Sequence, residues 1–430
     1  MERDTNAALL RFIEKSVSPF HAIDTVKAEL AGYTALQEGA EWDLLPGGRY
    51  YVTRNGSAII AFRVPRGAWQ GFLLAASHSD SPTFKVKNIP DMKGPENYVR
   101  LNTEPYGGML YTTWMDRPLS AAGRVLVRSD GKIESRLVNI DKDLLLIPNV
   151  AIHMNRQVNS GYAYNPKTDL VPLLGLEGGK SFNAIVAEAA GAAEEDVLSA
   201  DLFLYLRQKG CVWGGEEAFV SAPRLDDLQC AFATLQGFLN AEDSAAMPVY
   251  CVFDNEEVGS STRQGADGTF LRDVMERICA ALGRTLSREA AHSFMVSADN
   301  GHAVHPNHPE YADATNRPRM NGGVVIKHNA SQRYTTDAIS EAVFSEICRR
   351  ADVAVQHYAN RSDVPGGSTL GNIANTHVSM FTVDIGLAQL AMHSAYETAG
   401  AEDTAALVKA MTAYFGASLT AEGDGTLILK

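Results

Sequence analysis

The sequence predicts an α/β fold, in which a central sheet flanked by helices is interrupted by an inserted second domain that is mainly β. Two observations predict the central sheet. After Pro223, strand-like apolar runs alternate with helical segments, and residues 72–77 are apolar along nearly their whole length. Such a run is expected for a strand buried on both faces, within a sheet that carries helices on both sides. A third observation predicts the insertion, because the chain lacks long helical periods over the first half of 91–222.

The elements follow in chain order from local periodicity. Apolar side chains at helical spacing predict the first helix, and short apolar runs predict the strands. Before the insertion we expect helices over 5–15 and 22–30 and strands over 50–53, 57–64 and 72–77. Within it we expect strands over 123–128, 144–147 and 201–207 and a helix over 182–190. Beyond it we expect helices over 227–240, 269–281, 336–349 and 404–415 and strands over 249–253, 293–297, 324–327, 353–356 and 378–383.

These patterns divide the chain into two domains. Residues 1–91 together with 223–430 are expected to form the α/β domain that carries the site. Residues 92–222 are expected to form the inserted, mainly β domain. A chain of 430 residues is long enough for two such domains, each with its own core.

Composition narrows the class of partner. The formal net charge is -13, which argues against nucleic acid, because phosphate binding needs clustered basic residues. Five scattered cysteines without a CxxC pair are typical of reduced thiols, so we expect a cytoplasmic protein. No window approaches the roughly 20 apolar residues of a membrane span, and the N-terminus does not resemble a secretory signal. No membrane partner is therefore expected.

Residues able to bind metal follow several of the predicted strands. They are His78 and Asp80, Asp226, Glu256 and Glu257, Asp299, and His393. Open α/β sheets place their ligand sites outside the carboxyl ends of the strands, which is where most of these residues fall. The adjacent glutamates point in different directions, so one can hold a metal while the other faces water.

The donor set is chemically coherent. Imidazole and carboxylate groups without cysteine suit zinc, and also manganese or cobalt, at a hydrolytic site. Two histidines and three carboxylates can hold two ions if one carboxylate bridges them, and such a pair can activate water and polarise a carbonyl group. Asp80, two residues beyond His78, is placed to accept the other ring N–H of that histidine and fix its orientation.

Each residue also has a purely structural interpretation. Asp226 precedes a helix and fits an N-cap, while Asp299 and Asp80 fit ordinary turns. A Glu–Glu pair such as Glu256 and Glu257 is usually a solvated surface feature. These interpretations are adequate one by one, but they become poor when they have to explain all the sites together.

Six segments resemble the signature segments of one family, in that family's order and across nearly the whole chain. They are SHSDSP, SAPRLDDLQC, DNEEVGS, SADNGHAVHPNH, GGVVIKHNASQRY and AMHSAYE. In these segments the chain resembles the aspartyl aminopeptidase family of dinuclear zinc metallo-aminopeptidases. The resemblance implies a zinc-peptidase α/β domain interrupted by a dimerisation domain, and a dodecamer built from dimers.

The resemblance also implies a role for each site residue. Asp226 would bridge two zinc ions, with His78 and Asp299 completing one site and Glu257 and His393 the other. Glu256 would be the general base and Asp80 would orient His78. For substrate binding, the resemblance implies Lys327, His153 from a neighbouring subunit, and the backbone-rich segment Gly366, Gly367, Ser368 and Thr369.

Several alternatives stay open at the level of sequence. Lys327 could pair with an acidic N-terminal side chain of a peptide substrate, or could contact backbone or hold a structural ion pair, so a preference for neutral residues is equally compatible. The histidines of HAVHPNH fit either a metal tract or a turn that forms a cavity wall. Rival functions are another dinuclear metal amidohydrolase, such as a deacylase or carboxypeptidase, and a non-catalytic assembly protein.

Overall fold

The computed structural model describes residues 2–423 and 425–430. Its α-helices are α1 (Glu2–Lys15), α2 (Pro19–Glu29), α3 (Phe182–Ala190), α4 (Leu225–Asn240), α5 (Phe270–Ala281), α6 (Leu286–Ala290), α7 (Ala338–Arg350), α8 (Leu370–His377) and α9 (Asp403–Gly416). Its strands up to the predicted end of the insertion are β1 (Thr34–Leu36), β2 (Arg49–Arg54), β3 (Ala58–Arg63), β4 (Phe72–His78), β5 (Thr83–Lys93), β6 (Tyr98–Tyr106), β7 (Leu119–Ser129), β8 (Lys132–Asn139), β9 (Leu173–Leu176), β10 (Val197–Leu206), β11 (Cys211–Trp213) and β12 (Phe219–Ala222). The later strands are β13 (Met247–Phe253), β14 (Phe294–Ala298), β15 (Gly301–His302), β16 (Val324–His328), β17 (Val355–Ala359), β18 (Phe381–Gly386), β19 (Ala388–Leu390), β20 (Glu397–Gly400), β21 (Leu419–Ala421) and β22 (Leu427–Leu429).

A nine-stranded mixed sheet forms the centre of the molecule, in the order β1-β2-β3-β13-β4-β14-β18-β16-β17. Strands β13, β4, β14 and β18 run parallel to one another, while β3 and β16 run antiparallel to their neighbours β13 and β18. All residues of β4, β13 and β14 are buried, as their apolar sequences predict.

Two hydrophobic cores lie on opposite faces of this sheet. Alternate residues of β4 divide between them: Leu73 and Ala75 join one core, and Phe72, Leu74 and Ala76 join the other. The first core is completed by α1, α2, α4, α7 and α9, and the second by α5 and α8. The predicted α/β class, with helices on both faces, is therefore confirmed.

A separate six-stranded antiparallel sheet, in the order β8-β7-β10-β5-β6-β9, has its own core against α3. Its strand β5 begins at Thr83, upstream of the predicted boundary at 92. The division into 1–91 plus 223–430 and 92–222 stays a prediction, as does the role of the insertion in dimerisation. A smaller sheet, β11-β12-β20-β19-β15, lies beside the central one.

The individual elements agree closely with the sequence pattern. The predicted helix over 182–190 coincides with α3, and the strand predicted over 249–253 lies within β13. One prediction was wrong: residues 144–147 make only isolated bridges, through Leu145, Leu146 and Ile147, rather than a strand. The short strands of the five-stranded sheet were not predicted, because two to four residues are too few to show a period.

None of the helices formed by residues 2–423 and 425–430 has the length and apolar character needed to cross a bilayer.

Candidate metal centre

Three parallel strands end at one edge of the central sheet and bring the predicted ligands together. His78 is the last residue of β4 and pairs with Phe253, the last residue of β13. Glu256 and Glu257 follow β13 in a short 3-10 turn, and Asp299 directly follows β14. The shared strand direction places the side chains of these four residues around one point.

Asp226 lies between the two histidines. Its Oδ1 is 3.5 Å from Nε2 of His78, and its Oδ2 is 3.5 Å from Nε2 of His393. The residue sits at the start of α4 with non-helical backbone angles, which turn the carboxylate away from the helix and into the centre. One oxygen of Asp226 therefore faces each histidine, an arrangement that suits a carboxylate shared by two cations.

The remaining ligands divide between the two sides of Asp226. Asp299 Oδ1 is 4.0 Å from Nε2 of His78, and Glu257 Oε2 is 3.2 Å from Nε2 of His393. Donor atoms of Asp226, Glu257 and His393 all lie within 4.8 Å of one another. The structure thus brings all five predicted ligands into one cluster with two halves.

Two carboxylate oxygen atoms in this cluster are free to bind a cation. Asp226 Oδ1 and Glu257 Oε1 are buried and accept no hydrogen bond within the part of the chain that the structure describes. Burying an unpaired carboxylate oxygen is costly unless a cation or donor compensates. Because the donors are imidazole nitrogens and carboxylate oxygens without a thiolate, the set fits zinc.

Asp80 anchors both glutamates through their backbone. Its Oδ1 accepts the N–H of Glu256 at 3.1 Å, and its Oδ2 accepts the N–H of Glu257 at 3.2 Å. Nδ1 of His78 lies 3.0 Å from the backbone carbonyl oxygen of Asp80 and 3.4 Å from its carboxylate. With a proton on Nδ1, Nε2 of His78 is left with its lone pair facing the cluster.

Glu256 is half-buried beside the metal ligands, and its environment favours a held proton. Burial raises the pKa of Glu256 to about 8, and the neighbouring carboxylates of Asp299 and Asp80 act in the same direction. A carboxyl group whose pKa lies near the working pH can both accept and donate a proton.

Four positioning contacts come from three residues that the sequence did not single out. Glu397 accepts the N–H of Asp226 at 3.0 Å and the N–H of His393 at 2.7 Å. Tyr106 donates its hydroxyl to Asp80 Oδ2 at 2.7 Å, and the carbonyl of Gly108 lies 2.6 Å from Nδ1 of His393.

Only the tertiary structure reveals these partners. Tyr106 ends β6 of the antiparallel sheet, and Gly108 follows in the next loop, far along the chain from the residues they contact. Asp227 was also missed: its Oδ2 accepts the backbone N–H of His78 at 3.2 Å. In the sequence, the two adjacent aspartates of RLDDL were the one indication that Asp227 is part of the site. The sequence does not show which of the two faces the predicted ligands.

Lys327 is almost fully buried next to the centre. Its Nζ lies 3.6 Å from Asp299 Oδ2 and donates to the carbonyl of Asn300 at 3.1 Å. Burial lowers the pKa of Lys327, but Asp299, Tyr334 and Asp384 together outweigh this and raise the pKa overall, so the side chain carries a positive charge. The lysine therefore faces Asp299, one of the five predicted ligands, directly.

A cavity of about 300 Å³ lies next to the segment that follows Asp299, and none of the five predicted metal ligands is among the residues that line it. Its wall includes His302, Arg317, Arg361 and Gly366, together with His305 and His308 of the histidine-rich segment. Among the described residues, these three histidines belong to none of the clusters with metal-binding geometry, so their position agrees with a cavity wall.

The other predicted substrate residues are spread out. Gly367 and Ser368 are exposed just before α8, whereas Thr369 is buried and donates to Asp384 Oδ1 at 2.6 Å. His153 is exposed on the loop between β8 and β9. Of the set proposed from resemblance, Lys327 contacts the cluster directly and Gly366 lines the neighbouring cavity of about 300 Å³.

Comparisons with known proteins agree with this geometry. The family model described as aminopeptidase I zinc metalloprotease (M18) matches residues 12–415. A protein of Clostridium acetobutylicum called probable M18 family aminopeptidase 2 is 46% identical, over 92% of this chain and 94% of its own.

Solved structures show the same fold. The Ape4 chain in a cryo-EM structure of the Ape4 and Nbr1 complex superposes with a TM-score of 0.93 at 34% identity, over 96% of this chain and 86% of that chain. The S. cerevisiae mApe1 dodecamer superposes with a TM-score of 0.85 at 29% identity, over 96% of each chain.

Proposed function

The chain belongs to the aminopeptidase I zinc metalloprotease (M18) family and is a zinc-dependent aminopeptidase, and we propose that its centre holds two zinc ions bridged by Asp226. The observation that carries this proposal is the orientation of Asp226, whose two oxygens each lie 3.5 Å from a different histidine. His78 and Asp299 would complete one site, and Glu257 and His393 the other. Cobalt or manganese would fit the same donors.

Glu256 is the group that moves the proton. When bound, two zinc ions would polarise the scissile carbonyl and make water a better nucleophile. Glu256 takes a proton from the attacking water and delivers it to the leaving amine. Asp80 holds the backbone of both glutamates, so it keeps Glu256 aimed at the reacting atoms while Glu257 faces His393.

The acidic centre accounts for the requirement for a free N-terminus. Five carboxylates surround it (Asp80, Asp226, Glu256, Glu257 and Asp299), and a positively charged α-amine is attracted to them. Two peptides that differ only in N-terminal acetylation test this directly. We expect cleavage of the free peptide alone, and equal cleavage of both would instead indicate a general amidohydrolase such as a deacylase.

We further propose a preference for acidic N-terminal residues. Lys327 beside the centre and Arg317 on the cavity wall supply positive groups, which favour a carboxylate side chain. The opposing observation is that Asp299 already engages Lys327, which leaves a neutral preference as the alternative. Chromogenic amides of Asp, Glu and Leu compared at equal concentration decide between them, and a strong leucine preference would exclude the acidic pocket.

We propose that the working form is a cytoplasmic dodecamer built from dimers. The support is the mApe1 dodecamer, which shares this fold, and five cysteines that are all unpaired. In such an assembly the exposed His153 of one subunit would reach the active site of a neighbour and contact the substrate there. Its exposure on a loop is compatible with that role.

A further inference from the structure

A second cluster of metal-binding side chains lies at the far edge of the central sheet, away from the centre described above. His328 ends β16, His357 lies in the edge strand β17, and Glu341 projects from α7. The parallel register pairs Ile326 with His357 and His328 with Ala359, so both histidines lie on the same face of the sheet.

The spacing of the donor atoms is that of ligands around a single ion. His357 Nδ1 lies 3.4 Å from His328 Nε2 and 3.4 Å from Glu341 Oε1. All three donor atoms lie within 4.8 Å of one another. Tetrahedral zinc with metal–ligand distances of about 2.0–2.1 Å separates neighbouring ligand atoms by roughly 3.3 Å. Two of the three separations already match that value.

Hydrogen bonding alone explains the arrangement poorly. A ring nitrogen carries either one proton or one lone pair, so His357 Nδ1 can serve only one of its two neighbours. Both contacts are also longer than the usual N–H···O or N–H···N separation. A cation placed between the three atoms would satisfy all of them at once.

We propose that His328, Glu341 and His357 bind a zinc ion that is separate from the hydrolytic centre. The two imidazoles and one carboxylate would leave a fourth position for water, which is a common zinc coordination. Side chains alternate along a strand, so His328 points to the opposite face of β16 from Lys327, which contacts Asp299. The ion ties the edge strand β17 to α7 and takes no part in the reaction.

The test measures the number of zinc ions bound per chain of the full-length enzyme, at buffered concentrations of free zinc up to the micromolar range. The variant His357→Gln is expected to bind one ion fewer per chain than the wild type and to keep its kcat. His377→Gln is the matched control, because His377 is a partly exposed histidine paired with a single carboxylate, Asp267, at 3.0 Å. The control is expected to bind as much zinc as the wild type.

A second variant and a second readout separate this site from the central one. In a chain carrying Asp226→Asn, which weakens the central site, bound cobalt is expected to give a visible absorption band that Glu341→Gln removes. The proposal is overturned if His357→Gln and the wild type bind equal zinc throughout the range. Equal cobalt spectra with and without Glu341→Gln would overturn it as well.

Discussion

At the scale of single residues, the adjacent glutamates of DNEEVGS have different surroundings because the chain turns between them. Both share a cluster of donor atoms with His78, but only Glu257 also lies in the cluster with Asp226 and His393, at 3.2 Å from His393 Nε2. The sequence predicted this separation from the opposite directions of neighbouring side chains. It could not predict Glu397, whose two oxygens hold the backbone of Asp226 and His393, because nothing in AMHSAYE distinguishes that glutamate from a surface one.

Replacing Glu256 with glutamine keeps the size of the side chain and removes its ability to accept a proton. We expect kcat to fall by roughly 10²–10⁴-fold, the usual contribution of a general base, with bound zinc unchanged. Steady-state kinetics together with zinc analysis check this. A Glu256→Gln variant that retained near-normal turnover would show that another group moves the proton.

The buried carboxyl groups predict how the protein responds to pH after a chelator has removed its metal. Burial raises the pKa of Glu256 to about 8 and that of Asp299 to about 6. Unfolded carboxyl groups titrate near about 4, so the folded chain binds more protons than the unfolded chain between about pH 4 and 8. The free energy of unfolding of the metal-free chain should therefore fall as the pH rises through this window.

Thermal unfolding of chelator-treated and zinc-loaded protein at pH 5.5 and pH 8 checks whether stability falls or rises with pH. The metal-free midpoint should drop at the higher pH, whereas zinc compensates the carboxylate charges and should reduce the drop. A metal-free midpoint that rises with pH would contradict the burial of protonated carboxyl groups in the centre.

At the scale of elements, the parallel strands explain why the ligands could be found from sequence. Each predicted strand of the α/β domain exists within a few residues, and the ends of β4, β13 and β14 meet at one edge. The sequence could not show that the antiparallel sheet also reaches this edge. Tyr106 contacts Asp80, and Gly108 contacts His393, through pairings that depend on how two separate sheets pack.

The variant Tyr106→Phe removes one hydroxyl and leaves the ring packed edge-on against Phe203. Asp80 then loses a hydrogen-bond donor, so its carboxylate is held less firmly in the position from which it accepts the backbone N–H groups of Glu256 and Glu257. Changes to such outer contacts typically cost 10–100-fold, so we expect kcat or zinc affinity to fall by roughly tenfold.

Tyr205→Phe is the control, because this buried tyrosine of the same sheet donates to Asn139 at 2.8 Å and does not contact the centre. Equal kinetics and zinc affinity for Tyr106→Phe and wild type would mean that the antiparallel sheet does not support the centre through this bond.

At the scale of the whole molecule, the proposed assembly has a consequence that no single chain can show. If His153 completes the site of a neighbouring subunit, the variants His153→Ala and Glu256→Gln should each be nearly inactive alone. Co-expressed in equal amounts, they should form mixed oligomers that regain about a quarter of wild-type activity. Half of the sites then have an intact Glu256, and about half of those have a neighbouring subunit with an intact His153. Light scattering of the same samples reports whether the oligomer is a dodecamer.

Mixed oligomers that stay inactive would place His153 outside the neighbouring site. As the control, the two variants are purified separately and mixed under conditions that do not allow subunit exchange. This mixture should regain no activity.

The bridging role of Asp226 is the central claim, and counting zinc in two variants tests it most directly. Asp226 has an oxygen 3.5 Å from each of the two histidines, whereas Glu257 makes its close contact, at 3.2 Å, with His393. We therefore predict that Asp226→Asn weakens the binding of two zinc ions per chain, while Glu257→Gln weakens the binding of one. If Asp226→Asn lost a single ion, or if the wild type held only one ion at this centre, the account of a carboxylate shared by two metals would be wrong.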